Sequence, residues 1–157
     1  MTTTSAPLAR GSALRETLAR HVLVADGAMG TMLQDADVSL ADFEDYEGCN
    51  EILNVTRPDI VAEVHDAYLS VGVDCIETNT FGANLANLAE YGIEDRIYEL
   101  AYAGARLART QADIWSTPEQ PRFVLGAMGP GTRLPTLGHI TFAELRDAYA
   151  EQARGLI

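Results

Sequence analysis

Three short apolar runs, each ending in a polar or glycine-rich loop, constrain the fold of this chain most. With the loops that follow them, they span residues 22–31, 73–82 and 123–131. Segments with helical spacing separate the runs, and this alternation favours a parallel sheet whose ligands bind at the carboxyl ends of the strands. Both an open doubly wound sheet and the first part of an eight-stranded barrel fit the pattern.

The segments between the runs predict an α/β order of elements. We expect helices at residues 12–20, 58–71, 84–91, 95–114 and from 141 onward. The helix beginning at 58 carries an apolar face at helical spacing, formed by Ile60, Val61, Val64, Ala67, Tyr68 and Val71. The helix of residues 95–114 carries a second such face, formed by Ile97, Leu100, Ala101, Gly104, Leu107 and Ala108.

Two further segments have distinct local signals. Thr141 and Glu144 have the spacing of a capping box, and the helix that they begin has an apolar stripe of Phe142, Leu145, Tyr149 and Leu156. Residues 33–50 are acidic with weak periodicity, so we expect a long and partly irregular loop there.

Composition limits the partners and the compartment. The chain has 157 residues and a net charge of −12, so anionic nucleic acid or membrane surfaces would be repelled. Cys49 and Cys75 have no metal-ligand spacing and imply no disulfide framework, which fits a reducing cytoplasm. No apolar run approaches the ~20 residues of a membrane span, and residues 1–6 lack a signal-peptide core and are expected to be a disordered leader.

The loop of residues 26–31, with sequence Asp-Gly-Ala-Met-Gly-Thr, is the first candidate site. Its glycines let the backbone approach a ligand and offer N–H donors, while Asp26 can pair with an ammonium group. This combination suits an amino-acid zwitterion. The alternative is an ordinary strand-to-helix turn in which Asp26 caps local amides.

Polar residues follow the second run in the same way. Glu77 is a candidate base or ammonium partner, and Asn79 can both donate and accept hydrogen bonds. The alternative is that residues 77–80 only anchor the loop. The loop of residues 126–131 is interpreted as a flexible wall of the site, and the alternative is a tight turn. His65 is expected to be structural, and His139 lies in a loop after the third run, from which it could approach the site. No catalytic triad and no zinc site is indicated.

Several motifs occur together in an order that resembles a known family. They are residues 24–31, 48–51, 54–59, 77–81 and 129–130. Over residues 22–157 the chain closely resembles the N-terminal homocysteine-binding domain of the cobalamin-dependent methionine synthase family, a branch of the homocysteine S-methyltransferases. The resemblance implies a (βα)8 TIM barrel, of which this chain would supply the first three βα units only. Residues 1–20 would then be a leader and helix, and residues 21–157 an incomplete barrel domain.

The resemblance also implies chemistry. Zinc would bind the homocysteine sulfur and deprotonate the thiol, whose ordinary pKa is about 8.5, for attack on the methyl group of methylcobalamin. Asp26 and Gly27 would hold the amino-acid end of homocysteine, and Glu77, Thr78 and Asn79 would line the site. The cobalamin- and folate-binding modules of the full-length enzyme would be further partners.

The chain departs from the family at the zinc site. The three zinc cysteines of the family lie in later strands, and Cys49 and Cys75 do not correspond to them. We therefore expect the chain alone to bind no zinc tightly and to be inactive. Two other interpretations stay open, namely a homocysteine methyltransferase that uses betaine or S-methylmethionine and a non-catalytic amino-acid-binding domain.

Overall fold

The computed structural model describes the backbone of residues 6–157 and the side chains of residues 10–157. In chain order its helices and strands are α1 (Ala6–Leu18), α2 (Met29–Asp35), α3 (Leu53–Thr56), α4 (Pro58–Ser70), β1 (Cys75–Glu77), α5 (Leu85–Leu88), α6 (Ile97–Trp115), β2 (Phe123–Leu125) and α7 (Phe142–Leu156). Short 3-10 turns lie at Leu40–Phe43, Asn50–Ile52, Glu94–Arg96 and Pro135–Leu137.

The strands are parallel, as the sequence predicts. β1 pairs with β2 in the register Cys75 opposite Phe123, and Ala25 forms a parallel bridge with Cys75 on the other side of β1. The order in space is therefore residue 25, then β1, then β2, with helices between them along the chain. This arrangement confirms the α/β class and brings the three strand-end loops to one edge.

The first apolar run is less regular and less buried than predicted. Only Ala25 makes a strand-like bridge, while Val22 is 91% exposed and Val24 is 56% exposed. Alternate side chains of an extended segment share one side, and no described element covers the side that carries these two valines. Hydrogen bonds from Asp74 N and Cys75 N to Val24 O nevertheless hold the run against β1.

Helix α4 begins at Pro58, where the missing N–H of proline costs nothing, and buries the face expected from its spacing. Ile60, Val61 and Val64 are buried, but Ala67 and Val71 are exposed, contrary to the prediction. Val71 lies outside the helix, beside the Gly72 turn with its φ of +99°. His65, on the same helix, is fully buried, which agrees with the expectation that it has a structural role.

Helix α6 lies against both the sheet and α7. The predicted inner face is buried except for Leu107, which is half-buried and packs against the cluster of Leu53 and Val61. Gly104 makes the closest approach, because a Cβ at this position would lie 2.6 Å from Thr80 Cγ2 and 2.8 Å from Asn54 Nδ2. The helix thus packs directly behind the loop that follows β1.

Helix α7 begins with the predicted capping box. Glu144 N donates to Thr141 Oγ1, and Thr141 N donates to the Glu144 carboxylate. The predicted stripe is wrong at Phe142, which is 74% exposed in the first turn. Contact with α6 lies further along the helix, where a Cβ on Gly155 would be 2.8 Å from Ala101 Cβ.

Three other boundaries differ from the predictions. Helix α1 begins earlier than residue 12 and includes Ala6, and residues 1–5 of the expected leader lie outside the described residues. The acidic segment begins as helix, because Leu33 belongs to α2 and is 1% exposed. In the described part of the chain, no helix is long and apolar enough to cross a membrane.

Candidate functional site

A pocket of about 330 Å³ lies at the carboxyl ends of the parallel runs. Its walls are formed by Asp26, Gly27, Ala28, Met29, Gly30, Asn50, Glu51, Glu77, Thr78, Asn79, Phe81 and Ala127. The structure therefore brings all five sequence-predicted site residues to one cavity. The volume falls within the range of ~300–1,000 Å³ that is usual for small-molecule sites. We call this cavity the strand-end pocket.

Asp26 joins the first run to β1 at the base of the pocket. Its Oδ1 accepts a hydrogen bond from Glu77 N at 2.9 Å, and its own N–H donates to Cys75 O at 3.0 Å. Burial raises the pKa of Asp26 from 3.8 to about 6, and repulsion from the Glu77 carboxylate adds to this effect. The hydrogen bond from Glu77 N–H opposes it. Asp26 is therefore both a local anchor, as the alternative interpretation holds, and a half-buried acid facing a cavity.

The loop that follows Asp26 presents backbone to the pocket. A Cβ on Gly27 would meet nothing within 4 Å, so the space beside this residue is open. Ala28 adopts a left-handed conformation with φ of 47°, which is uncommon for a residue other than glycine. Such a conformation at the edge of a cavity is typical of functional loops.

Three acidic side chains line the strand-end pocket, namely Asp26, Glu77 and Glu51. Glu77 is exposed, while Glu51 is 9% exposed and burial raises its pKa. Within the described residues, no lysine or arginine contributes to the pocket walls. The electrostatic character of the pocket thus favours a group that carries positive charge, such as an ammonium.

Thr78 and Asn79 line the pocket, but their side chains bind neighbouring protein groups. Thr78 Oγ1 shares a hydrogen bond with Thr80 Oγ1 at 2.6 Å and accepts one from Ala127 N at 2.9 Å. Asn79 Nδ2 donates to Asn50 O at 2.8 Å and to Asn54 Oδ1 at 3.0 Å. These two residues hold the walls together, as the loop-anchoring interpretation predicts.

The loop of residues 126–131 contributes Ala127 to the pocket wall, and hydrogen bonds attach this loop to its neighbours. Gly129 N donates to Phe81 O at 3.0 Å, and a Cβ on Gly129 would collide with that carbonyl. Tyr149 Oη donates to Gly129 O at 3.1 Å. The loop is therefore held by its neighbours, with Ala127 as its residue in the pocket wall, and glycine is required at position 129, where the two loops touch.

Two buried polar residues were missed by the sequence reasoning, one in the pocket wall and one bonded to the loops that follow β1 and β2. Glu51 Oε1 accepts from Gly82 N at 2.7 Å, and Gln152, at 0% exposure on α7, donates from Nε2 to Thr80 O at 2.7 Å. The position of Glu51 directly before the apolar pair Ile52 and Leu53 was a sequence signal that this glutamate is buried. Nothing in the pattern of α7 distinguished Gln152 from an exposed glutamine.

The described residues do not fit a metal site. No group of three or more His, Cys, Asp or Glu side chains in that part of the chain is placed to hold a metal ion. Cys49 and Cys75 are free and buried, and burial raises the pKa of Cys49 to about 11. A neutral thiol in an apolar cluster is a poor metal ligand. His139 lies outside the pocket walls, and its Nδ1 is 3.5 Å from Leu134 N.

A second cavity, of about 350 Å³, lies between α1, α6, β2 and α7. Thr78 is the one sequence-predicted site residue in its walls, which are otherwise mainly apolar. Its arginines include Arg109, whose charge is paired with Asp113 at 2.7 Å. The convergent polar groups of the chain lie at the strand-end pocket instead.

Solved structures with a similar fold include the homocysteine methyltransferase MmuM from Escherichia coli. The metallated form matches with a TM-score of 0.64 and 22% identity over 90% of this chain and 54% of that chain. The oxidized form matches with a TM-score of 0.68 and 23% identity over 91% of this chain and 52% of that chain. At this level of identity the likeness shows the α/β fold.

Sequence comparison identifies nearer relatives. Over 144 residues the chain is 56% identical to a methionine synthase of Mycobacterium leprae and 54% identical to one of Mycobacterium tuberculosis. These matches cover 92% of this chain and 12% of each relative, so the chain spans about an eighth of their length. The sequence model of homocysteine S-methyltransferases matches residues 23–157, and the chain therefore belongs to the homocysteine S-methyltransferase family.

Proposed function

We propose that this chain supplies the amino-acid-binding part of a homocysteine methyltransferase of the methionine synthase type, which transfers a methyl group to homocysteine and gives methionine. The observation that carries the proposal is the convergence of Asp26, Gly27 and Glu77 on one acidic pocket. It is supported by the identity of 54–56% to two methionine synthases.

In this proposal the pocket binds the polar end of homocysteine. The Asp26 carboxylate pairs with the substrate ammonium, and the Glu77 carboxylate adds to the attraction. Gly27 has no side chain, so the substrate carboxylate can approach the loop backbone closely. Thr78 and Asn79 act on the substrate mainly by fixing the walls, since Thr78 Oγ1 and Asn79 Nδ2 already have protein partners.

Zinc and methylcobalamin enter the proposal through the family resemblance alone. Because the described residues do not fit a zinc site, we propose that zinc is held by residues outside this chain, and we propose the same for methylcobalamin on the ground of the resemblance. The cobalamin- and folate-binding modules are proposed partners on the same ground. We also propose that the strand runs are the first three βα units of an eight-stranded barrel, and that the protein is cytoplasmic.

The role of Asp26 is tested by Asp26→Asn in the protein expressed from its complete reading frame. Asparagine keeps an oxygen to accept from Glu77 N–H but removes the charge. Loss of a charge-assisted hydrogen bond costs about 1.5–3 kcal/mol, so the KM for homocysteine should rise about 10- to 100-fold. The matched control is Asp95→Asn on the exposed surface. An unchanged KM in the Asp26 variant would contradict the assignment.

Two further measurements test the rest of the proposal. Methyl transfer from betaine or S-methylmethionine, with none from methylcobalamin, would contradict the methionine synthase type. Calorimetric titration of this chain with zinc should show no tight binding, since Cys49 and Cys75 are buried in separate places. Stoichiometric zinc binding would place metal ligands inside the chain and overturn that part.

A further inference from the structure

One peptide unit, between Phe81 and Gly82, links three separate segments around the strand-end pocket. Its N–H donates to Glu51 Oε1 at 2.7 Å. Its carbonyl oxygen, on Phe81, accepts from Gly129 N at 3.0 Å and from Asn84 Nδ2 at 3.2 Å. Both ends of the unit are therefore held, one by the segment before α3 and the other by the loop after β2.

The contact between Glu51 and Gly82 leaves no room for a side chain. A Cβ on Gly82 would lie 2.7 Å from Glu51 Oε1 and 3.0 Å from Oε2. The carboxylate thus lies against the peptide itself. A residue other than glycine at position 82 would displace either the carboxylate or the loop.

Glu51 itself is firmly placed. It is 9% exposed and lies in the short 3-10 turn Asn50–Ile52, directly before Ile52 and Leu53, both at 0% exposure. Its second oxygen, Oε2, faces the thiol of Cys49 at 3.9 Å. Both carboxylate oxygens therefore point toward protein groups, although the residue forms part of the pocket wall.

We propose that Glu51 is a positioning residue of the strand-end pocket, which fixes the Phe81–Gly82 peptide and thereby the wall that Phe81 contributes. This inference rests on the proposed function, because it assigns to that site a residue that need not touch homocysteine. Phe81 is 60% exposed and lines the pocket, so its placement depends on its backbone rather than on burial of its ring.

The test uses three substitutions in the protein expressed from its complete reading frame. Glu51→Ala removes the acceptor of Gly82 N–H, and Glu51→Gln keeps one oxygen acceptor at the same place. Gly82→Ala introduces the Cβ that would collide with the carboxylate. Glu63→Ala, on the exposed side of α4, is the matched control for loss of a glutamate.

The readouts are homocysteine affinity by calorimetry, the KM and kcat for homocysteine, and the midpoint of thermal unfolding. Glu51→Ala should weaken homocysteine binding about tenfold, the effect of leaving one buried donor unpaired. Glu51→Gln should restore most of the affinity. Gly82→Ala should weaken binding in the native background and have little effect when Glu51 is already alanine, because the collision is then absent.

The outcomes separate the inference from the proposed function. If the unmodified protein does not bind homocysteine, the proposed function fails. If it binds homocysteine and Glu51→Ala lowers only the unfolding midpoint, Glu51 is structural and the inference is overturned. Independent, additive effects of Glu51→Ala and Gly82→Ala, or a loss in Glu51→Gln equal to that in Glu51→Ala, would also overturn it.

Discussion

His65 should make this protein sensitive to acid, and the size of the effect follows from its environment. The side chain is at 0% exposure on α4, and neither ring nitrogen has a hydrogen-bond partner among the described residues. Burial alone lowers the pKa of His65 from 6.5 to about 4. The folded protein therefore holds the imidazole neutral at pH values where the unfolded chain protonates it.

The sign and range of the effect follow from proton binding. Above pH 6.5 the imidazole is neutral in both the folded and the unfolded state, so the protonation of His65 does not change the free energy of unfolding. Between pH 6.5 and about 4 only the unfolded chain takes up the proton, so stability falls as the pH falls. A difference of about 2.5 pKa units corresponds to a loss of about 3 kcal/mol, which is complete near pH 4.

The variant His65→Leu isolates this contribution. Urea unfolding of this 157-residue chain, followed by the fluorescence of its one tryptophan, Trp115, gives the free energy of unfolding at pH 7, 5.5 and 4.5. Native protein should lose stability relative to the variant across this range. The raised pKa of Asp26 has the opposite effect on stability, because the folded protein binds this proton more tightly than the unfolded chain does. Asp26 is present in both proteins, so its contribution cancels in the comparison.

Val64→Ala serves as the control, because it removes buried methyl groups beside His65 and no titrating group. Its loss of stability should be nearly the same at every pH. Parallel pH dependences for the native protein and His65→Leu would refute the reasoning, because they would mean that the folded state also accommodates the imidazolium.

Two further predictions concern the pocket and the core. The affinity for homocysteine should rise as pH increases through about 6, because Asp26 must ionise to attract an ammonium group. Calorimetry should find no such rise in Asp26→Asn. A rise that persists in this variant would show that another group causes the pH dependence. Gly104→Ala should destabilise the protein by about 1–3 kcal/mol through overpacking against Thr80 and Asn54. The control is Gly11→Ala on α1, where a Cβ meets nothing within 4 Å, and this change should be neutral or slightly stabilising. Equal urea midpoints for the two variants would contradict the close packing of Gly104 against Thr80 and Asn54.

Local patterns predicted the elements that bury one face against a neighbour. The spacing of Ile60, Val61 and Val64 defined α4, and the pair Thr141 and Glu144 marked the start of α7. The first run failed as a buried strand because burial of a side chain depends on neighbours at long range. The backbone of Val24 is bonded to residues 74 and 75, but the side chains of Val22 and Val24 stay exposed among the described residues. Phe142 failed for a similar reason, since α7 meets α6 nearer its other end.

The candidate site shows the same division. The position of Asp26, Gly27 and Glu77 at the ends of apolar runs was enough to predict that they meet at one pocket. The partners of each side chain were not available from sequence, because they lie far away along the chain. Asn79 binds Asn54, and Gly82 meets Glu51, across separations of 25 and 31 residues. Which polar groups remain free for a ligand is therefore a tertiary property.

The hydrogen bonds of Gln152 have a consequence for the timing of assembly. Its amide reaches Thr80 O and Ala127 O, so one side chain of α7 ties together the loops after β1 and β2. Thr80 precedes Gln152 by 72 residues. During synthesis, which proceeds at about 5–20 residues per second, the β1 loop must wait several seconds for this partner. The tie between the loops after β1 and β2 is thus completed after the strands that carry them, and a nascent chain that has not yet docked α7 lacks the link through Thr80 O and Ala127 O.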